Sequence, residues 1–259
     1  MTTGPAQPAP VAIVTGANRG IGFEMVRTLL ERGYRVACVD LVLDDGAYPT
    51  APPERVLLLP CDVRSDEDVA RSVGTVVGRW GRIDVLVNNA AVAPFGSFAQ
   101  ISVASMQESF DVNVFGCVRT IAAVLPVMRA QGGGTIANVA SVLGFTGLPR
   151  LVGYASTKGA VEALTRSLAL DLARDGIAVK LLHAPLTRTA SAAGLGLPTF
   201  LMADPAKVGQ RLATRLQSKR TVVTADLRTE AWLLLARLAP ATTGKVQAWV
   251  VERWARRPP

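Results

Sequence analysis

The chain has 259 residues, of which 49% are hydrophobic and 19% charged. That apolar content suffices for the buried core of one α/β domain and leaves too few charges for a disordered chain. The formal charge is +8, from 28 Lys and Arg against 20 Asp and Glu. The basic residues are scattered, save Arg253, Arg256 and Arg257 near the end, and no aromatic residues interleave with them, so specific nucleic-acid binding is not expected. Apolar runs such as Ile121–Met128 fall short of the roughly 20 residues a bilayer requires, which argues against a membrane protein. Met1–Pro10 lacks the basic start and apolar block of a signal peptide and reads as a flexible lead. Cys38, Cys61 and Cys117 match neither a zinc spacing nor a closed disulfide set. They imply no metal site and suit buried, reduced thiols in a cytoplasmic protein.

Apolar, β-rich runs then alternate with helical patterns. Val11–Thr15 is a short strand, and Ile21–Glu31 a helix closed by Gly33. Arg35–Asp40 is a second strand. Val56–Pro60 is a third, after a loop containing Pro49, Pro52 and Pro53. Ser65–Trp80 opens with a serine cap and acidic residues at 66–68, which favour a helix N-terminus. Ile83–Val87 is a fourth strand and Ser102–Arg129 a long helix that Pro126 bends. Thr135–Ala140 is a fifth strand, Tyr154–Arg174 a helix closed near Gly176, and Ile177–Leu182 a sixth strand. Val246–Val251 is the expected seventh. Continuous apolar strands separated by helices imply a doubly wound, Rossmann-type α/β fold, a parallel sheet with helices on both faces. One catalytic domain, residues 11–252, is expected between the lead at 1–10 and a basic tail at 253–259. Residues 186–225 break the rhythm, with a short helix starting at Asp204-Pro205, and read as a segment covering a cleft.

The first strand runs directly into Thr15-Gly16-Ala17-Asn18-Arg19-Gly20-Ile21-Gly22. Glycines allow a tight turn and a close approach of the backbone to a pyrophosphate. The helix N-terminus that follows offers free N–H groups and partial positive charge to that group. The Gly-x-x-x-Gly-x-Gly spacing resembles the short-chain dehydrogenase/reductase family. Asp40, ending the second strand, can accept both ribose hydroxyls of NAD and repel a 2′-phosphate. Arg19 argues the other way, since a basic residue there often accompanies NADP in the family. NAD is the expected cofactor, with NADP as the alternative.

The resemblance implies further contacts. Asp62, in Cys61-Asp62-Val63, resembles the family's adenine-contacting aspartate. Asn88-Asn89-Ala90 matches the motif beside the cofactor, with Ala91 where the family has glycine. Pro185–Thr189 resembles the Pro-Gly-x-x-Thr segment that touches the nicotinamide amide. Leu186 stands for its glycine, and Thr189 keeps the carboxamide contact. The cofactor would thus be bound by Gly16, Asn18, Arg19, Gly20, Ile21, Gly22, Asp40, Asp62, Val63, Asn89, Ala90, Pro185 and Thr189, together with Tyr154 and Lys158.

Tyr154 and Lys158 lie four residues apart, on one face of a helix. With Ser141 at the end of the fifth strand and Asn113 in the long helix, they match the family's Asn–Ser–Tyr–Lys tetrad in type, order and spacing. Reduction of a ketone leaves an alkoxide that must gain a proton. An ordinary phenol, with a pKa of about 10, is a poor base at neutral pH, and a neighbouring ammonium favours its ionised form. Tyr154 would be the general acid for reduction and the base for oxidation. Ser141 would donate a hydrogen bond where charge develops on the substrate oxygen. By resemblance Lys158 would hold the nicotinamide ribose and Asn113 a water in a proton path. The lone histidine, His183, reads as structural.

Val142, Leu143, Phe145, Val92, Phe95, Phe200 and Met202 are the expected substrate wall. Arg150 and Arg188 are the candidate carboxylate anchors. An uncharged, apolar ketone or secondary alcohol is the implied small-molecule substrate. Other readings are a dinucleotide-binding regulatory or partner protein without turnover, and a nucleic-acid binder. Beyond residue 200 the resemblance fades to Thr243-Gly244, which would precede the last strand. Homodimers or homotetramers are expected, the helices at 102–129 and 154–174 supplying the dimer faces.

Overall fold

The computed structural model describes residues 8–255 apart from 45, 47, 49, 50 and 196. Arg256 and Arg257 of the basic tail, most of the N-terminal lead and Pro49 lie outside the described residues. Strands β1 (Val11–Thr15), β2 (Arg35–Asp40), β3 (Val56–Pro60), β4 (Val85–Asn88), β5 (Gly134–Ala140), β6 (Ile177–His183) and β7 (Val222–Thr224) form one sheet. The order is β3-β2-β1-β4-β5-β6-β7 and every pairing is parallel. The strand order reverses between β1 and β4. In an open α/β sheet such a switch point leaves a crevice at the carboxyl ends of the strands.

Helices cover both faces. On one side α1 (Gly20–Glu31) packs Met25, Val26 and Leu29 against Leu212 and Leu216 of the segment carrying α7 (Pro205–Arg215). On the other, α2 (Asp66–Trp80), α4 (Gly116–Ala130) and α6 (Val152–Asp171) bury Val73, Val76, Ile121, Val124, Met128 and Val161. At about 25 cal/mol per Å² of apolar surface removed from water, these two layers dominate folding. The expected caps are in place. Ser65 Oγ accepts from Asp68 N, Asp204 caps α7, and Gly176 ends the 154–174 helix region with φ +70°.

Several expectations are corrected. First, the long helix is not continuous: a π-helical turn, Asp111–Phe115, separates α3 (Val103–Phe110) from α4, and Pro126 lies within α4. Such one-turn bulges recur at functional sites, and this one carries Asn113. Second, residues 246–251 are not a strand. They lie in α9 (Pro240–Ala255), which follows α8 (Leu227–Leu238), and Thr243-Gly244 is part of the same helix. The sheet edge is filled instead by Val222–Thr224, paired with Leu181–His183. Asp226 then accepts from Thr229 N at 2.8 Å and starts α8. Third, Phe145, in α5 (Leu143–Thr146), stacks on His183 and does not line the cleft.

Val103–Ala130 is, by length and composition, apolar enough to cross a membrane, a point the shorter apolar runs concealed. Its buried side, including Cys117, Ile121, Val124 and Met128, lies within the core beside the sheet.

Candidate active site

A cleft of about 1460 Å³ opens at the switch point. Its floor is the turn after β1. Gly16 and Gly20 have φ of +66° and +64°, which side chains rarely adopt. A Cβ on Gly16 would come within 2.8 Å of Asn89 Nδ2 and 2.9 Å of the Ala90 backbone. One on Gly22 would strike the Gly16 carbonyl. Gly22 therefore sits beneath the turn and does not face the cleft. The turn is fastened to β4 by side chains. Thr15 Oγ1 accepts from Asn89 N at 3.0 Å and Ala90 N at 3.1 Å. Asn89 Nδ2 donates to the Thr15 and Gly16 carbonyls at 3.1 and 2.9 Å.

Asp40 closes the adjoining wall. Its carboxylate accepts from Asn18 N and Leu41 N, both at 2.8 Å, so an anion is fixed at the end of β2. Arg19 and Ile21 also line the cleft. Asp62 and Val63 lie further along it. Arg64 grips the Asp62 carboxylate, its Nε at 3.0 Å from both oxygens and one terminal nitrogen at 2.7 Å. Those bonds hold the carboxyl below the usual aspartate range, against the opposing effect of burial.

Ser141, Tyr154 and Lys158 line the same cleft. Ser141 Oγ accepts from Leu143 N at 3.3 Å. Lys158 is 3% exposed and its ammonium donates to the Val139 carbonyl at 2.7 Å. That nitrogen is 5.5 Å from the centre of the Tyr154 ring. The one-turn spacing on α6 thus places phenol and ammonium together.

Asn113 stands behind the cleft, 1% exposed. Its Oδ1 accepts from Val92 N at 2.8 Å, and its Nδ2 donates to Val92 O at 2.9 Å and Thr157 Oγ1 at 3.0 Å. The side-chain amide is spent on these three bonds and anchors the end of β4 to α6. A second buried network was not anticipated from the sequence. Thr120 Oγ1 donates to Asn88 Oδ1, Asn88 Nδ2 to Asn138 Oδ1, and Asn138 Nδ2 to Thr165 Oγ1, at 2.7, 2.9 and 2.9 Å. Asparagines in apolar strand runs were the available signal, since a buried amide requires partners.

Pro185, Leu186 and Thr189 also line the cleft. A Cβ added to Gly20 would meet Thr189 Cγ2 at 3.3 Å, so this loop lies over the glycine turn. The covering segment is tied down by bonds from Ala203 N to Leu186 O and from Arg188 N to Ala203 O. Beyond Tyr154 the walls are apolar. Val92, Val142, Leu143, Phe200 and Met202 line the cleft as expected, joined by Leu195, Leu197, Val250 and Val251. Phe95, expected in the wall, does not line the cleft; the Arg150 guanidinium stacks 4.1 Å from its ring centre and is likewise outside the lining, whereas Arg188 is part of it. All three cysteines are buried and unpaired. Burial pushes the Cys117 thiol up to about 11, against the pull of Lys158.

The sequence model of the short chain dehydrogenase family matches residues 10–197. The chain belongs to the short-chain dehydrogenase/reductase family. It is 40% identical over 176 residues to 2-(R)-hydroxypropyl-CoM dehydrogenase of Xanthobacter autotrophicus, covering 64% of this chain and 70% of that one. It is 34% identical over 180 residues to 3-alpha-(or 20-beta)-hydroxysteroid dehydrogenase of Mycobacterium tuberculosis, covering 69% of each. A short-chain dehydrogenase structure from Streptomyces avermitilis superimposes with a TM-score of 0.79 at 25% identity, covering 98% of this chain and 100% of that one. The chain is therefore an NAD(P)-linked oxidoreductase of this family that acts on CH–OH groups. The family match ends before α7, where the sequence resemblance also weakens.

Proposed function

We propose that this short-chain dehydrogenase/reductase interconverts an uncharged, apolar ketone and its secondary alcohol, with Tyr154 as the proton-transferring residue and NAD as the preferred cofactor. The observation that carries this reading is the shared cleft: Tyr154, Ser141 and Lys158 stand between a glycine cradle and an apolar end. The cradle fits a dinucleotide because Gly16 and Gly20 line it at positive φ without side chains, which lets a pyrophosphate approach the backbone, and because it opens onto the N-terminus of α1. Gly16, Asn18, Arg19, Gly20 and Ile21 would hold the phosphates. Asp40 would hold the adenosine ribose, Asp62, Val63, Asn89 and Ala90 would flank the adenine side, and Lys158, Pro185 and Thr189 the nicotinamide side. When bound, the nicotinamide supplies or accepts the hydride.

The protein's own residues do the rest. Ser141 donates to the substrate oxygen and Tyr154 gives it a proton in reduction or takes one in oxidation. Lys158 keeps a positive charge beside the phenol. Asn113 holds Val92 and Thr157, and through them the spacing of β4 and α6. The anionic Asp40 supports NAD because it stands where a 2′-phosphate would be placed. Of the nearby cations, Arg64 is committed to Asp62, which leaves Arg19 as the rival. An uncharged substrate is supported by the apolar lining and by the engagement of Arg150 with Phe95, while Arg188, which lines the cleft, is the cation that favours an acid.

The test is oxidation of NADH and NADPH across a panel running from small keto acids to bulky cyclic ketones. NADH with the bulky ketones is expected to be fastest. Tyr154→Phe should lose turnover by at least about a hundredfold while still quenching its fluorescence on binding NADH. Full activity in that variant would remove Tyr154 from the mechanism, and preference for keto acids would remove the apolar substrate. We also propose a homo-oligomer in a reducing, cytoplasmic setting. Exposed Phe115 and Val118 on the α3–α4 helix and Leu170 on α6 support pairing through these helices, which light scattering of the purified protein would check.

A further inference from the structure

A cluster of His183, Glu162, Arg166 and Arg237, to which the proposed reaction gives no role, lies beside the strand end next to the serine. His183 ends β6 opposite Ala140, the neighbour of Ser141. It is 1% exposed. Its Nε2 lies 2.6 Å from Glu162 Oε1, and neither ring nitrogen has an aligned hydrogen-bond partner among the described residues. Glu162, on α6 one turn beyond Lys158, also pairs with Arg166 at 2.8 Å and approaches Arg237 of α8 at 4.0 Å. An imidazole and two guanidiniums therefore meet around one carboxylate, that of Glu162. Phe145 stacks on His183, with centroids 6.4 Å apart and planes at 26°. The Arg166 and Arg237 guanidiniums lie 5.7 and 5.3 Å from its centre, within the range of cation–π attraction.

Phe145 belongs to the turn that carries the serine. Gly144 N donates to the Ser141 carbonyl at 3.1 Å. A Cβ on Gly144 would come within 2.8 Å of the Gly159 nitrogen and the Lys158 carbonyl carbon. The turn therefore rests backbone-on-backbone on the helix that presents Tyr154 and Lys158. On its far side Thr146 Oγ1 donates to Gln247 Oε1 of α9 at 2.7 Å. A buried carboxylate such as that of Glu162 is costly unless it is paired, and the groups that pair with it also flank Phe145.

We propose that Phe145, clamped by His183, Arg166 and Arg237, which Glu162 gathers, is the positioning residue that fixes the Ser141 hydroxyl relative to Tyr154. This rests on the reading of Ser141 as the donor to the substrate oxygen. The clamp ties the serine turn to β6, α6 and α8 at once, so loosening it moves Ser141 without touching the glycine cradle.

Two measurements test this. The first is amide hydrogen exchange of residues 141–146 in the unliganded protein. Phe145→Leu and Glu162→Gln should speed it at least about tenfold, and Phe145→Tyr, which keeps the ring, should restore it. The second uses 1-decalone, an uncharged bicyclic ketone, with NADH. Both variants should lower kcat about tenfold, with KM and the NADH dissociation constant changed less than about threefold. Neither should lower kcat further in a Ser141→Ala background, because residues acting through one group are not additive. Unchanged exchange in 141–146, or an equal loss of kcat with and without Ser141, overturns the proposal. If no ketone is turned over by the parent protein, the substrate reading fails, while the exchange measurement still decides whether Phe145 holds the turn.

Discussion

Replacing Asn113 by leucine separates a structural from a chemical role for this residue. The change keeps the approximate volume and deletes three hydrogen bonds, two to the backbone of Val92 and one to Thr157. Each such bond contributes a net of about 1 kcal/mol, and a buried polar group left unpaired costs about 1–3. Val92 is only partly buried, so water can repair some of its loss. Thr157 is fully buried but still donates to the Tyr154 carbonyl at 2.7 Å. The sum is about 2–4 kcal/mol. For a chain of this size each kcal/mol lowers Tm by about 2–4 °C, so Asn113→Leu should melt roughly 5–15 °C below the parent. Asn113→Asp should fare no better, since it keeps the acceptor for Val92 N, loses both donors and adds a buried charge. Scanning calorimetry of the protein alone, with no substrate present, reads the effect. A Tm within about 2 °C of the parent would show that the three bonds are not worth what their geometry implies.

Two further outcomes follow from the same coordinates. Asp40→Ser removes the anion at the end of β2 while leaving a small acceptor for Asn18 N. The ratio of kcat/KM for NADPH over NADH should rise at least about tenfold, equivalent to 1.4 kcal/mol, and an unchanged ratio would place the discrimination elsewhere. Burial alone would raise the Glu162 pKa, but His183 and Arg166 outweigh it and hold the carboxyl below its ordinary 4.5. A depressed carboxyl pKa stabilises the fold above the unfolded value and loses that contribution as pH falls through the folded one. The parent should therefore lose Tm more steeply than Glu162→Gln as pH drops below 4.5, and parallel Tm–pH curves would refute the assignment.

Features fixed by short-range spacing were legible in the sequence. The glycine turn, the capped helices and the one-turn separation of Tyr154 and Lys158 depend on residues close in the chain, and the first six strands were found within about two residues. Features set by distant partners were not. Val246, Ala248 and Val250 alternate, while Val246, Val250 and Val251 recur at helical spacing, so the run Lys245–Glu252 suits either element. Val222–Thr224 decides the matter by occupying the edge of β6, which no local pattern reveals. Phe145 follows the serine, as a pocket residue would, yet the cations of α6 and α8 draw it away. Pro126 is tolerated within α4, while the irregular turn forms at Asp111–Phe115, where Asn113 satisfies Val92.

These distant partners explain why the site holds its shape. Its groups come from separate elements: the turn after β1, the ends of β2, β3, β4 and β5, the face of α6 and the loop after β6. Nothing in the motif spacing joins them. Asn89 joins the first to β4, Asn113 joins β4 to α6, the Asn88–Asn138–Thr165 chain joins β4 and β5 to α6, and Gly144 lays the serine turn on Lys158. Catalysis by positioned donors requires that they not reorganise as the substrate oxygen gains charge. A site assembled from separate elements meets that requirement only if the joints are as rigid as the elements. The buried amides and the Phe145 clamp are those joints, so substitutions there should lower turnover before they abolish cofactor binding.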